Sequence, residues 1–298
     1  MEIEKEIAEF VDTIKKDPFK CYFQNKGNEK VKWEEDKVYV DALYQGYLDA
    51  CRTFKWEKDG EDNKKYIRKI FKEKEIVKYM KDYLNEGEKE NFDEIHKKLC
   101  YHLKECERTN MTYGQAQKII NMAFKYLYCC KHDSKMEERF KTCHMPLDSF
   151  SLEWFKRKFK EKIFSNPDSY SENNKELPES LFTKKGEKKL KAESIGSWSS
   201  MQTWEEDCKK QEYPYEFYAH VIKKYCKDNS ITPLQLDFIV WSKMQKIMAA
   251  EAFIKTFKDD DEENKEAINS EELEPYDILN LKTTLENRLS EIRPLICK

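Results

Sequence analysis

The chain has 298 residues, with 55 Lys or Arg against 58 Asp or Glu, a net charge of −3, and only 7 glycines and 8 prolines. That length is ample for a buried core, and 39% hydrophobic with 13% aromatic content excludes a disordered chain. The charge balance excludes a globally basic nucleic-acid binder, no apolar run approaches membrane-spanning length, and the scarcity of Gly and Pro predicts an all-α protein of long helices.

The first helix is expected over Glu2–Lys16, with Ile3, Ile7, Phe10, Val11 and Ile14 on one face and Asp17-Pro18 ending it. Tyr22-Phe23 and Val31-Lys32-Trp33 read as short extended pieces, Asp36–Phe54 as a second helix, and Glu57–Asn63 as a polar loop. Residues 64–85 read as one charged helix with a stripe running from Tyr66 to Tyr83. Asn91–Cys106 forms another helix, and Glu107–Tyr113 is a connector into Gly114.

Gln115–Cys130 follows, with Ile119, Met122, Ala123, Tyr126 and Leu127 at helical spacing, as expected of a central core helix. Asp148 is expected to cap the next helix, which carries Leu152, Trp154, Phe155 and Phe159. Pro167, Pro178, a lysine-rich run over 184–191, Gly186 and Gly196 mark a surface excursion. Helices then follow over Trp198–Glu212, Tyr215–Asn229 and Pro233–Phe257, with an acidic linker at Asp259–Glu263 and a terminal helix over Glu272–Ile292.

Ten cysteines (21, 51, 100, 106, 129, 130, 143, 208, 226 and 297) form no CxxC pair, and no leader-like segment opens the chain. Reduced thiols in an intracellular protein, and no metal site, are therefore expected.

The candidate chemistry centres on Lys118 and Asp148. Lys118 stands near the predicted start of one helix, where the macrodipole disfavours an ammonium ion and favours the nucleophilic amine. Asp148 stands at the start of the next, 30 residues later, so a helix, a loop and a return can bring the two face to face. Singly, each has a plainer reading: a solvated lysine on an amphipathic helix, and a helix cap. Likewise Asp237 and Trp241 read singly as a surface acid and a packed aromatic.

Gln117-Lys118-Ile119-Ile120-Asn121-Met122-Ala123-Phe124-Lys125, with Pro146-Leu147-Asp148 downstream, resembles the helix-hairpin-helix DNA glycosylases, nearest to the archaeal 8-oxoguanine DNA glycosylase branch. The resemblance spans roughly residues 90–160 and 230–245. It implies that Lys118 attacks the deoxyribose C1′ and that Asp148 stabilises the charge that develops. Pro233–Trp241 is similar to that branch's C-terminal segment, which makes Asp237 and Trp241 contacts to an extruded base. Met122 stands where that branch has an aromatic pocket residue, and Gln45 and Trp56 are further candidates to reach the base. Tyr113, Gly114, Gln115 and Gln117 would meet the DNA backbone, although the connector Asn110–Gly114 lacks the usual Gly-x-Gly. His144 would orient Asp148 or touch a phosphate.

The implied architecture is a single unit over 1–298 of two helical subdomains flanking a cleft: residues 1–90 close it, 91–165 carry the hairpin and catalytic pair, 166–197 are the excursion, and 198–298 bring the base pocket. The implied activity is excision of a damaged or modified base, with amine chemistry that permits AP-lyase cleavage. It needs no cofactor; DNA is the partner, no membrane is involved, and a monomer suffices. The competing readings are a non-catalytic helical interaction module and a helical ribonuclease, for which no R-x4-6-H element appears.

Overall fold

In a computed structural model of the chain, residues 2–14, 22, 31–56, 62–73, 75–86, 91–106, 108–159, 197–203, 214–259, 283–291 and 294 are described. Among them none lies in a strand, and the fold class is all-α. The helices are α1 (Glu2–Thr13), α2 (Asp36–Ala50), α3 (Asp62–Glu73), α4 (Ile76–Lys81), α5 (Phe92–Lys104), α6 (Tyr113–Tyr128), α7 (Ser134–Phe140), α8 (Ser149–Phe159), α9 (Tyr215–Asp228) and α10 (Pro233–Asp259), and residues 283–291 are also helical. No helix among the described residues is long and apolar enough to cross a membrane.

Helix α6 is the centre of the fold. Its residues from Tyr113 to Leu127 are all buried: apolar side chains cover most of its circumference, and the remaining stripe of Gln117, Lys118, Asn121 and Lys125 meets polar partners from other elements. Its entry is fixed by a capping box, in which the Thr112 hydroxyl accepts from the Gln115 amide N–H at 3.1 Å and Gln115 Oε1 accepts from Thr112 N–H at 3.0 Å. Helix α2 lies against α6 through Gly46. A Cβ at that position would stand 2.4 Å from the Ile119 carbonyl oxygen, so only glycine lets the two backbones approach this closely. Helix α5 packs on α6, α10 on α1, α8 and α9, and α3 on the outer side of α2. The same box recurs at α10, where Thr232 and Gln235 exchange bonds of 3.0 and 3.2 Å ahead of Pro233.

Several expected elements take other forms. Residues 31–35 turn instead of extending, with Trp33 N–H on the Val31 carbonyl at 3.1 Å and Glu35 N–H on Lys32 at 3.0 Å. The single helix expected over 64–85 breaks at Glu75 (φ −62°, ψ 5°), and α4 continues into a π-helical turn, Asp82–Glu86. The break lets Ile76, Val77 and Met80 face the core independently of Ile67 and Phe71. Helix α7 was not expected; Asp133 caps it through Met136 N–H at 2.8 Å. The helix expected from Trp198 is a single 3-10 turn, Trp198–Ser200, followed by extended backbone in which the Met201 carbonyl serves Gly114 N–H and the Gln202 carbonyl serves Tyr215 N–H, each at 2.9 Å. Carbonyls committed to other elements cannot propagate a helix. Phe23, residues 166–196, residues 204–212 and the linker beyond Asp259 lie outside the described residues.

Candidate active site

Lys118 and Asp148 meet. Lys118 Nζ donates to Asp148 Oδ2 at 3.3 Å, and both side chains retain a little solvent contact. Asp148 divides its two oxygens: Oδ1 caps α8 by accepting from Phe150 N–H at 2.9 Å and Ser151 N–H at 3.0 Å, leaving Oδ2 to face the lysine. The cap and the pairing are therefore compatible roles for one carboxylate.

Lys118 does not stand in the first turn of its helix. Helix α6 begins at Tyr113, which puts Lys118 in its second turn, and the macrodipole acts mainly within the first. What confines the amine is Asp148 on one side and the Trp198 ring on the other, with Nζ 4.6 Å from the ring centroid.

The turn carrying Asp148 is held by Gln117, whose amide donates to the Leu147 carbonyl at 2.8 Å and to the Gly114 carbonyl at 2.9 Å, and whose oxygen accepts from Leu147 N–H at 3.2 Å. Asn121, one turn on, donates to Gln117 at 3.0 Å and to the Tyr215 hydroxyl at 3.0 Å. Burial of Gln117 is tolerable because both ends of its amide meet partners, whereas Asn121 is satisfied through its nitrogen alone and its Oδ1 is buried without one. The sequence marked Gln117 as a DNA contact; it is fully buried and grips the Asp148 turn.

Lys118 and Asp148 border a cavity of about 530 Å³, with Met122, Trp241, Asp237 and Phe10 on its wall and Asp49, Arg52 and Thr53 from the end of α2 opposite. Its size suits a nucleoside-sized ligand. Asp237 and Trp241, four residues apart on α10, both reach it. Met122 lines it as well.

Beneath the cavity lies a pair absent from the sequence reading. Lys125 Nζ meets Asp237 Oδ2 at 2.6 Å, with side-chain exposures of 1% and 6%. The ammonium also lies 3.9 Å from the Phe10 centroid, 4.6 Å from Phe238 and 5.5 Å from Trp241. Burial pushes the Asp237 carboxyl up, and the Asp148 charge adds to this, while Lys125 and Lys118 oppose it. Lys125 stands seven residues, two turns, beyond Lys118, a spacing legible in the sequence; its partner on α10 was not.

The other expected contacts are used inside the protein. Gln45 is buried on α2 and does not border the cavity, and Trp56 packs among Tyr47, Phe54 and Tyr66. Tyr113 is buried, with its hydroxyl 3.4 Å from His96 Nδ1. Gly114 N–H donates to the Met201 carbonyl at 2.9 Å, and a Cβ at Gly114 would lie 1.8 Å from the Trp198 carbonyl oxygen. The Gln115 amide donates to the Thr53 carbonyl at 2.7 Å. Of the amide groups expected to face DNA at the start of α6, that of Gly114 is taken by the Met201 carbonyl and that of Gln115 by the Thr112 hydroxyl, which in turn donates to the Ser199 carbonyl.

His144 is corrected too. It neither touches Asp148 nor faces outward: it is 4% exposed, with Nδ1 2.8 Å from the Tyr215 hydroxyl and Nε2 2.5 Å from Asp93 Oδ1. Burial and the Lys223 charge pull its pKa down to about 4, against the opposing pull of Asp93, so the ring is neutral near pH 7. His96 stacks on Tyr215 at 5.0 Å beside it and is lowered well below the usual histidine range, chiefly by burial.

Among the described residues no His, Cys, Asp and Glu cluster is arranged to hold a metal, and the seven described cysteines are free thiols. No family model, no curated protein and no solved structure matches the chain.

Proposed function

We propose that the protein is a lysine-dependent DNA N-glycosylase with AP-lyase chemistry, acting on DNA that bears a damaged or modified base, an 8-oxoguanine-like purine among the candidates. The reading rests on one observation above all: an amine 3.3 Å from a carboxylate at the edge of a cavity of about 530 Å³. In this reading α5 and α6 are the two helices of the hairpin, and two helical subdomains flank the cleft.

In the proposed reaction a modified nucleotide leaves the DNA stack and its base enters the cavity, where Trp241 supplies a π face and Asp237 accepts an N–H from the base edge. Asp148 takes a proton from the Lys118 ammonium. The neutral amine attacks C1′, forming a C–N bond as the glycosidic bond breaks, and that bond's electron pair leaves with the base, which is then protonated. The proton held by Asp148 passes to the departing base, and the carboxylate so restored, 3.3 Å from the lysine nitrogen, stabilises the cationic sugar. Opening of the sugar ring leaves a Schiff base on Lys118, and β-elimination from it cuts the strand. No cofactor takes part, and a single copy of the chain suffices.

Borohydride trapping on duplexes bearing 8-oxoguanine or other modified bases tests the reading. The expected result is a covalent adduct with the natural chain and none with Lys118→Gln. Absence of both an adduct and base release across a broad lesion panel overturns it. The competing reading, a non-catalytic helical interaction module, is favoured by the bonded amides at the start of α6; it predicts no adduct on any DNA.

A further inference from the structure

The Gly114 and Gln115 amides at the start of α6 are occupied and residues 197–201 lie over them, which leaves this helix end little room to hold a phosphate backbone. A different surface runs outward from the cavity. Arg52 and Thr53 line its wall, and the chain continues through Phe54 and Lys55 to Trp56, which pairs with Thr109 in an isolated bridge beside Arg108. Arg108 lies 4.7 Å over the Tyr66 ring, and Tyr66 lies 6.4 Å from Trp56. Lys64 and Lys65 directly precede Tyr66 on α3, and Arg68 lies 3.9 Å over Tyr44.

Arg52, Lys55, Lys64, Lys65 and Arg108 are exposed. None of the five forms an ion pair with a described acid, whereas several cations elsewhere do, among them Lys37 with Asp41, Lys81 with Asp36, Lys141 with Glu138 and Arg157 with Glu251. The Arg52 and Lys64 charges both act on the Cys51 thiol, which sets these two cations near a single side chain. Asp49, the acid nearest Arg52 in sequence, is engaged by the Tyr126 hydroxyl at 2.7 Å. Unpaired cations interleaved with half-buried aromatics form a surface suited to a polyanionic backbone with stackable bases.

We propose that this stripe, from Arg52 at the cavity through Lys55, Trp56 and Arg108 to Lys64 and Lys65, binds the phosphodiester backbone of DNA and replaces the hairpin amides as the protein's grip. Gln115 ties it to the catalytic helix, since its amide donates to the carbonyl of Thr53, the residue next to Arg52. Phosphates bound at Arg52 would bring the neighbouring nucleotide to the mouth of the cavity. The choice of DNA rests on the glycosylase reading; the stripe itself rests on its charge and placement.

The test is fluorescence anisotropy with a labelled duplex carrying a non-cleavable abasic-site analogue, measured across a salt series. The natural chain is expected to bind. Lys64→Glu/Lys65→Glu and Arg108→Glu should each weaken binding by roughly tenfold or more, and Lys64→Gln/Lys65→Gln should flatten the salt dependence by about one unit per lost phosphate contact. All these side chains are exposed, and melting curves should match the natural chain. Lys131→Glu/Lys141→Glu, an equal charge change on another face, should leave affinity within about twofold, as expected where no phosphate is contacted. Failure of the natural chain to bind duplex, or equal losses from both sets of reversals, overturns the stripe. The two readings fail separately: stripe-dependent binding without base release from any lesion keeps the stripe and removes the glycosylase, whereas Lys118 trapping insensitive to the stripe variants does the reverse.

Discussion

Lys125 and Asp237 form an ion pair of 2.6 Å almost sealed from solvent, with aromatic rings of Phe10, Phe238 and Trp241 around the ammonium. It ties α6 to α10 directly below the cavity that Lys118 and Asp148 border.

Removing one partner should cost far more than removing both. Lys125→Met leaves a buried carboxylate without its counter-charge and should destabilise by about 3–5 kcal/mol, whereas Lys125→Met/Asp237→Leu should recover most of that loss. Denaturant titration of the two singles and the double measures the coupling. Additive losses would show that the two side chains do not act as a pair.

Gln117 is expected to govern the position of Asp148. Gln117→Leu strands the Leu147 N–H and carbonyl and should lower stability by about 1–3 kcal/mol. Hydrogen exchange at the Leu147 and Phe150 amides should quicken, since the turn and its cap loosen together. If both amides exchange as in the natural chain, the clamp is not what holds the turn.

Gly46→Ala tests the close backbone approach of α2 to α6. The added Cβ, 2.4 Å from the Ile119 carbonyl oxygen, meets backbone that cannot rotate away. Overpacking at such a contact costs about 1–3 kcal/mol, and the thermal midpoint should fall accordingly. An unchanged midpoint would mean that α2 and α6 separate without cost.

The buried histidines should make stability pH-dependent on the acid side. His144 titrates near 4 in the folded protein, below its ordinary value, and His96 is shifted in the same direction. The unfolded chain therefore binds more protons between about pH 6.5 and 4, and stability present above that window is lost as pH falls through it. The His144 contribution alone is on the order of 3 kcal/mol. His144→Gln should flatten the stability profile over that window; an unaltered slope would assign the loss to other groups.

The sequence by itself determined the class of fold and most helix positions. Low glycine and proline content, apolar residues at helical spacing, and the cap at Asp148 are local signals, written within a few residues of where they act. The same locality made Lys118 and Asp148 visible as two helix-start candidates, and Asp237 and Trp241 as one face of a single helix. Tertiary structure alone decided what each of these faces meets. Periodicity identifies the buried side of α6 but not the element that covers it, so Asp237 as the partner of Lys125, the clamp of Gln117 on Leu147, and the burial of His144 against Tyr215 were all beyond local reading. The start of α6 shows the difference most plainly. Its residues have the composition of an exposed helix entry, yet the Met201 carbonyl takes up the Gly114 amide hydrogen and the Ser199 carbonyl the Thr112 hydroxyl, each from more than eighty positions away, because a buried donor must find an acceptor wherever the chain can bring one.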